Sequence, residues 1–174
     1  MCCPLDTVEV MDTETRQWST ASSLPLPWNN PSMTIQGDHI YLLGGFSDRT
    51  DMVFTCSLCR VLQSCKPLCL DVVHTDAVWR QISDCPAIQS TCTTLNGQLL
   101  AVGGKEKQMS SANIHAYNPV SNSWEVISRM STPRGHPVVA VLPGSKLMVV
   151  SGWIRDSSSI TLNVLDTVEI ATLE

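Results

Sequence analysis

Four cysteines in the first half of the chain form the most compact set of side chains that could bind a metal. They follow the pattern Cys56-x2-Cys59-x5-Cys65-x3-Cys69. Four thiolates this close could surround a tetrahedral zinc ion, with His74 as a spare ligand. Structural zinc sites, however, usually contain two tight pairs separated by a longer arm. We therefore interpret these cysteines as small apolar residues of a loop insertion, keep zinc as the alternative, and expect no cofactor.

The histidines do not form a catalytic pattern. His39, His115 and His136 lie far apart, and the sequence places no acid beside any of them. Nucleophilic catalysis needs a nucleophile, a base and a group that orients the base. Phosphate-binding loops, dinucleotide fingerprints and zinc-protease motifs do not occur in the sequence either. We expect a protein that is not an enzyme.

Composition and charge exclude several other classes. Apolar residues make up 43% of the 174 residues and charged residues 16%, which is typical of a folded domain. The net charge is −5 and lysine and arginine do not cluster, so nucleic acid is not an expected partner. No apolar run is long enough to cross a bilayer and no secretory signal is visible, so we expect no membrane contact and a cytoplasmic location with reduced cysteines.

The elements that would position a site come from a repeat. An apolar run ending in two glycines occurs at residues 39–45 (HIYLLGG) and 98–104 (QLLAVGG), and a worn copy occurs at 146–152 (KLMVVSG). Each copy follows a glycine turn and a second short apolar or threonine-rich run, which predicts a β-hairpin. The glycines concerned are Gly44, Gly45, Gly103, Gly104 and Gly152.

Aromatic residues repeat in step with the glycines. Trp18, Trp79 and Trp124 each lie between one hairpin and the next. Six residues separate Tyr117 from Trp124, and six separate Met11 from Trp18. The segment LDTVEV at residues 5–10 returns as LDTVEI at 165–170, so the same strand is predicted near both ends of the chain.

These landmarks resemble the kelch-repeat family. The apolar run into Gly-Gly, the Tyr117 and Trp124 pair, and the entry to a new unit at residues 130–134 (MSTPR) carry the resemblance. It implies an all-β chain that forms a partial kelch-type β-propeller of about three four-stranded antiparallel blades. In such a fold the glycines and the Tyr and Trp residues are scaffold, since they allow sharp bends and fill the space between blades.

The repeat predicts four segments. Residues 1–24 are expected to be the last two strands of a preceding blade, 25–83 a blade with an insertion around 59–77, 84–130 a second blade, and 131–174 a blade that lacks its last strand. The insertion lies after the third strand if residues 52–58 form that strand, and residues 68–73 are the competing candidate for it. About three blades cannot close a ring, so we favour a fragment of a longer product over a truncated variant or a half that is completed by a second copy.

The loops predict a binding surface. The connection between the second and third strands and the connection between blades leave on the same face, where rigid loops can recognise a protein or peptide partner. The side chains expected there are Trp28, Asn29, Arg49, Lys105, Arg134, His136 and Arg155. The resemblance further implies a possible role as the substrate-recognition part of a ubiquitin-ligase adaptor, or actin binding. The alternatives are a propeller enzyme of the oxidase or sugar-modifying type, or a fragment with no independent function.

Overall fold

The structure is a computed structural model, and it describes residues 5–47, 63–64, 67–71, 78–107, 109–155 and 161–173. These residues form nineteen β-strands and no helix. A helix able to span a membrane is accordingly not found in the part of the chain described. The chain begins with an antiparallel hairpin of β1 (Glu9–Met11) and β2 (Trp18–Thr20), here called the N-terminal hairpin.

The first sheet follows, with four antiparallel strands in chain order from inside to outside. Its strands are β3 (Ser32–Gln36), β4 (His39–Leu43), β7 (Leu68–Asp71) and β8 (Arg80–Gln81). Between β4 and β7 the chain forms a short ribbon of β5 (Phe46–Ser47) and β6 (Gln63–Ser64). The Gly-Asp turn between β3 and β4 lets the two apolar runs pair over five residues.

The middle sheet repeats this order. Its four strands are β9 (Thr91–Leu95), β10 (Gln98–Val102), β13 (Asn113–Asn118) and β14 (Ser123–Arg129). The ribbon of β11 (Lys105–Glu106) and β12 (Met109–Ser110) again lies between the second and third strands.

The last sheet has three strands among the described residues. They are β15 (Val138–Leu142), β16 (Lys146–Val150) and β19 (Val168–Thr172). Its ribbon consists of β17 (Trp153–Ile154) and β18 (Asn163–Val164). Each unit therefore repeats one plan, a sheet whose second and third strands are joined through a small rim ribbon.

The sheets are stacked around their innermost strands. Thr34 of β3 and Thr94 of β9 approach through their hydroxyl oxygens at 3.1 Å. Ser145, in the turn before β16, is 3.1 Å from Asn96 in the turn after β9. Neighbouring inner strands in register, with the other strands radiating outward, are the arrangement of a β-propeller. The predicted fold class, a partial kelch-type β-propeller, is confirmed.

Apolar side chains fill the space between successive sheets. Tyr41, Leu43 and Cys69 of the first sheet pack against residues of the middle sheet that include Leu99 and Tyr117. The opposite face of the middle sheet packs against the last sheet in the same way. That second cluster contains Leu95, Leu100, Val102, Ile114, Ala116, Met130, Leu147 and Val149. Both faces of the middle sheet are therefore covered, and its second strand is almost completely buried.

The tryptophans tie each sheet to the one before it. The indole N–H of Trp79 donates to the carbonyl of Ser22 (3.0 Å), and that of Trp124 donates to the carbonyl of Ser83 (3.1 Å). Each acceptor lies four residues after the preceding tryptophan of the repeat. Trp18 occupies the corresponding place in the N-terminal hairpin but is 65% exposed. The expectation that it fills the space between two sheets is therefore wrong for this structure.

The placement of the insertion needs correction. The strand that pairs with β4 is Leu68–Asp71, with Tyr41 opposite Cys69. In the middle sheet Leu100 is opposite Ala116, so the interval from Gly44 to Cys69 is 25 positions and that from Gly103 to Ala116 is 13. Most of the extra residues therefore precede the third strand instead of following it, while residues 52–58 lie outside those described. The segment boundaries predicted above stay a proposed division.

Candidate functional site

The loops on one face are held by backbone hydrogen bonds. In the middle sheet Ile88 and Lys105 exchange two bonds, with N···O distances of 3.1 and 2.7 Å. In the last sheet Gly135 and Trp153 do the same at 2.7 and 3.0 Å. In these two sheets the entry loop is therefore attached to the residue that follows Gly104 or Gly152. This pairing makes the loops extensions of the sheet, which favours a preformed surface.

Neighbouring rim ribbons are also joined to each other. Arg155 donates its backbone N–H to the hydroxyl of Ser110 (2.9 Å), and Ser110 donates its own N–H to the carbonyl of Arg155 (3.3 Å). The entry loops are linked as well, since the N–H of His136 donates to the carbonyl of Gln89 (3.1 Å). We call this continuous face the rim surface. It consists of the entry loops 28–30, 88–90 and 134–136 with the ribbons β11–β12 and β17–β18.

One backbone feature of the rim surface was not anticipated from the sequence. Asn30, Gln89 and His136 occupy equivalent places in the three entry loops, and their φ angles are 51°, 55° and 48°. A left-handed conformation is uncommon for residues other than glycine, and Asn and His adopt it more readily than most. Strained positions of this kind occur often at binding sites. Asn30 and His136 were the local signals that could have indicated it.

Arg134, expected on the surface, is completely buried. Its guanidinium contacts Glu169 through Nη2 (3.0 Å) and Nε (3.2 Å). Nη1 donates to the carbonyl oxygens of Ser151 (2.7 Å) and Thr167 (3.0 Å), and Nη2 donates to the hydroxyl of Thr167 (2.8 Å). A buried guanidinium needs partners for all of its donors, and these acceptors provide them. The prediction that Arg134 faces a partner is therefore wrong.

Glu169 is held by the same network. Burial alone would raise the pKa of Glu169, but hydrogen bonds from Ser131, Arg134 and Thr132 outweigh burial and lower that pKa to about 2. Ser131 donates through its backbone N–H (2.7 Å) and its hydroxyl (2.6 Å). The carboxylate therefore ties the entry loop of the last sheet to its third strand.

Trp28, also expected on the surface, is buried. It packs with Leu42 and Leu68, and its indole N–H donates to the carbonyl of Gly44 (2.9 Å). Trp28 and Arg134 occupy the same place in the repeat, as do Gly44 and Ser151. Two different side chains therefore donate to the same backbone position. Trp28 and Arg134 each anchor their entry loop to the backbone just after the second strand of the sheet.

Known proteins match this repeat. A model of the kelch motif matches residues 87–131, which contain the whole middle sheet. Kelch-like protein 25 of Xenopus tropicalis is 24% identical over 70% of this chain and 18% of its own length. Kelch-like protein 41b of Danio rerio is 22% identical over 86% of this chain and 23% of its own length. The chain contains a kelch motif at residues 87–131, and its resemblance to the kelch-repeat family is confirmed.

Two further similarities show how much of the known proteins this chain covers. A putative F-box/kelch-repeat protein of Arabidopsis thaliana is 30% identical over 48% of this kelch chain and 21% of its own length. The chain thus spans about a fifth of the length of these relatives. Among solved structures, that of YjhT superposes with a TM-score of 0.69 at 15% identity, covering 97% of the kelch chain and 50% of YjhT. At this identity the likeness concerns the fold.

Four of the predicted contact residues remain available on the rim surface of the kelch chain. His136 is exposed, and Asn29, Lys105 and Arg155 are partly exposed. Arg49 lies outside the described residues. Trp153, beside Arg155, packs its ring over Gly135, where any larger residue would overlap it. The rim surface thus presents basic and aromatic side chains on a hydrogen-bonded frame.

The cysteine cluster is only partly described. Cys56, Cys59 and Cys65 lie outside the described residues, so their interpretation stays a prediction. Cys69 is buried in β7 and packs in the core with Tyr41. Burial raises the pKa of Cys69 and raises that of Tyr41 to about 12. No group of three or more His, Cys, Asp or Glu side chains arranged to hold a metal occurs in the described ranges.

A buried histidine and a partly exposed acid near the middle ribbon were also missed. The Nε2 atom of His115 is 3.8 Å from Oε1 of Glu106, and Glu106 accepts hydrogen bonds from the Ser111 hydroxyl and from Asn113 (2.9 Å). Burial lowers the pKa of His115. In a catalytic triad the histidine lies between serine and acid. Here the carboxylate lies between them, and Ser111 and His115 are only 6% and 2% exposed, so the group is arranged for structure.

Proposed function

We propose that this kelch chain is a protein–protein interaction module that binds a peptide or folded partner through its rim surface, and that it has no catalytic activity. The observation that supports this is the hydrogen-bonded continuity of the entry loops and rim ribbons, in particular the pairing of Ser110 with Arg155. A frame that is rigid before binding loses little conformational entropy on association. Lys105, His136 and Arg155 would provide the charged and polar contacts.

The family relationship supports a more specific role. One relative is a putative F-box/kelch-repeat protein, and two others are Kelch-like proteins. We propose that, within a longer polypeptide, these repeats select the substrate of a ubiquitin-ligase adaptor. Actin is the alternative partner that the family resemblance suggests, and it would be tested with purified filaments in the same binding assay.

The test is affinity purification with a charge reversal on each face. The partner is first identified by mass spectrometry and purified. Its dissociation constant is then measured for the unaltered chain and for the variants Arg155→Glu and Lys146→Glu. Arg155 lies on the rim surface, whereas Lys146 is exposed beside the turn between β15 and β16. We expect Arg155→Glu to weaken binding about tenfold or more, as for a contact residue near the centre of an interface. Equal effects of the two variants would overturn the proposal.

A further inference from the structure

The turn between β9 and β10 contains the one Asn-Gly pair of the sequence, Asn96 and Gly97. These are its two central residues, because the pairing of the strands ends with Leu95 opposite Gln98. Both are exposed, and their φ angles are 52° and 73°. No atom of the described residues lies within 4 Å of the place that a Cβ of Gly97 would occupy. The peptide nitrogen of Gly97 is therefore outside the strand pairing and unshielded by a side chain.

An asparagine followed by glycine can react with the backbone of its neighbour, because no Cβ hinders the approach of the glycine nitrogen. The peptide nitrogen of Gly97 would attack Cγ of Asn96, so that an N–Cγ bond forms and the Cγ–Nδ2 bond breaks. Nδ2 leaves as ammonia with the proton of the peptide nitrogen, and the product is a cyclic succinimide. Water then opens the ring. Opening at Cγ gives aspartate, and opening at the backbone carbonyl carbon gives isoaspartate.

A hydroxyl from the last sheet is placed to assist this reaction. Ser145, in the turn before β16, donates its hydroxyl to Oδ1 of Asn96 at 3.1 Å. Negative charge develops on this oxygen while Cγ is attacked, and a donor already aimed at it stabilises that charge. The turn is also held from the first sheet, since Gln36 at the end of β3 donates through Nε2 to the carbonyl of Gly97. The turn thus contacts both neighbouring sheets.

We infer that Asn96 is a site of spontaneous deamidation, assisted by Ser145, and that its conversion to isoaspartate loosens the contacts between the three sheets. In isoaspartate the main chain runs through Cβ and Cγ, which adds one carbon to a turn of only two residues. The hydrogen bonds to Gln36 and Ser145 both depend on the present path of that turn. This modification is independent of the proposed function.

Asn122 provides an internal reference for the role of the glycine. It lies in the turn between β13 and β14, is exposed, and has a φ of 48°. Its Oδ1 also accepts hydrogen bonds, from the N–H of Ser83 (2.9 Å) and the hydroxyl of Tyr117 (2.8 Å). The next residue, however, is Ser123, which carries a Cβ and begins β14. The two asparagines therefore share a backbone conformation and a hydrogen-bonded amide oxygen, and differ in the residue that must attack.

The first test follows both asparagines in one sample of the folded chain. After incubation at neutral pH and body temperature, peptide mapping by mass spectrometry measures the replacement of NH2 by OH. Labelling with a protein isoaspartyl methyltransferase detects the isoaspartate. We expect Asn96 to convert at least about tenfold faster than Asn122. Equal rates would overturn the inference, as would an unchanged Asn96 after a period in which a synthetic peptide of residues 92–101 has converted completely.

The second test concerns the hydroxyl of Ser145. We expect Ser145→Ala to slow the conversion of Asn96 about fivefold, the rate equivalent of one neutral hydrogen bond. Ser121→Ala is the matched control, because the hydroxyl of Ser121 is exposed and contacts that of Ser123 at 2.7 Å, away from Asn96. It should leave the rate unchanged. A rate for Ser145→Ala that equals or exceeds that of the unaltered chain would contradict the assisting role.

The third test measures the consequence for the fold. The melting temperature of the unaltered chain should fall as the fraction of isoaspartate rises, whereas that of Asn96→Gln should stay constant through the same incubation. Asn96→Asp separates the new charge from the altered backbone, and its carboxylate can still accept from Ser145. It should therefore melt closer to the unaltered chain than the isoaspartate form does. The same melting temperature before and after conversion would show that the turn does not hold the sheets together.

Discussion

At the scale of single residues, the ion pair of buried Arg134 and partly exposed Glu169 connects two distant parts of the last sheet. It joins an entry loop of the rim surface to a strand 35 residues later in the chain. The arginine is completely buried, and its partners are two carbonyls, a hydroxyl and the carboxylate. Removing Glu169 would leave the arginine buried without its counterion, and removing Arg134 would take a donor from the carboxylate and from the carbonyls of Ser151 and Thr167.

We predict that Arg134→Ala lowers the free energy of unfolding by about 3–5 kcal/mol, the range for removal of one partner of a buried ion pair. Urea denaturation followed by tryptophan fluorescence would measure the change. Arg129→Ala, at an exposed position in β14, is the matched control and should change stability by less than about 0.5 kcal/mol. Similar values for the two variants would show that the pair does not stabilise the fold.

The low pKa of Glu169 predicts an acid-sensitive contribution to the stability of the single chain. Its pKa falls from 4.5 to about 2 on folding, so the unfolded chain takes up a proton at Glu169 before the folded chain does. Stability from this group is present above pH 4.5 and is lost as the pH decreases toward about 2. The stability difference between the chain and Glu169→Gln should therefore shrink across that range. A difference independent of pH would contradict the prediction.

At the scale of elements, the turn that ends the second strand depends on close backbone approach. Gly103 has a φ of +61°, and a Cβ atom there would overlap the carbonyl oxygen of Arg134. Gly97, in the turn between β9 and β10, has a φ of +73° but open space around it. The two glycines share the left-handed conformation and differ in crowding, which makes them a matched pair.

We predict that Gly97→Ala costs about 1 kcal/mol, from the left-handed conformation alone. Gly103→Ala should cost at least ~2 kcal/mol more, since the entry loop of the last sheet must also move. Thermal unfolding of the two variants would measure the difference. Equal costs would mean that the contact between Gly103 and Arg134 relaxes without loss.

At the scale of the whole molecule, the chain is a short array in which each sheet contacts only its neighbours. The middle sheet is covered on both faces, and Leu99, Ala101 and Val102 in β10 have no exposed surface. In such arrays the end units open more readily than the central ones.

We predict that amide hydrogen exchange is slowest in β10 and β13 and much faster in β1 and β2 when the chain is dilute. Exchange measured by mass spectrometry on peptides from these strands would test this. Equal protection of all four strands would contradict the array behaviour.

Local sequence by itself determined the strands, the glycine turns and the repeat. Short apolar runs and glycine turns specify hairpins from neighbouring residues, so the segments ending at Gly45, Gly104 and Gly152 predicted the propeller. The spacing of the tryptophans predicted the sheets of the propeller, because that spacing is also read directly from the sequence. Only the tertiary structure decided which loop side chains face solvent. Arg134 and Trp28 look like surface residues because their partners, Glu169 and Leu42, come from distant strands. Such pairings depend on how each entry loop folds against its own sheet, and no local pattern encodes them.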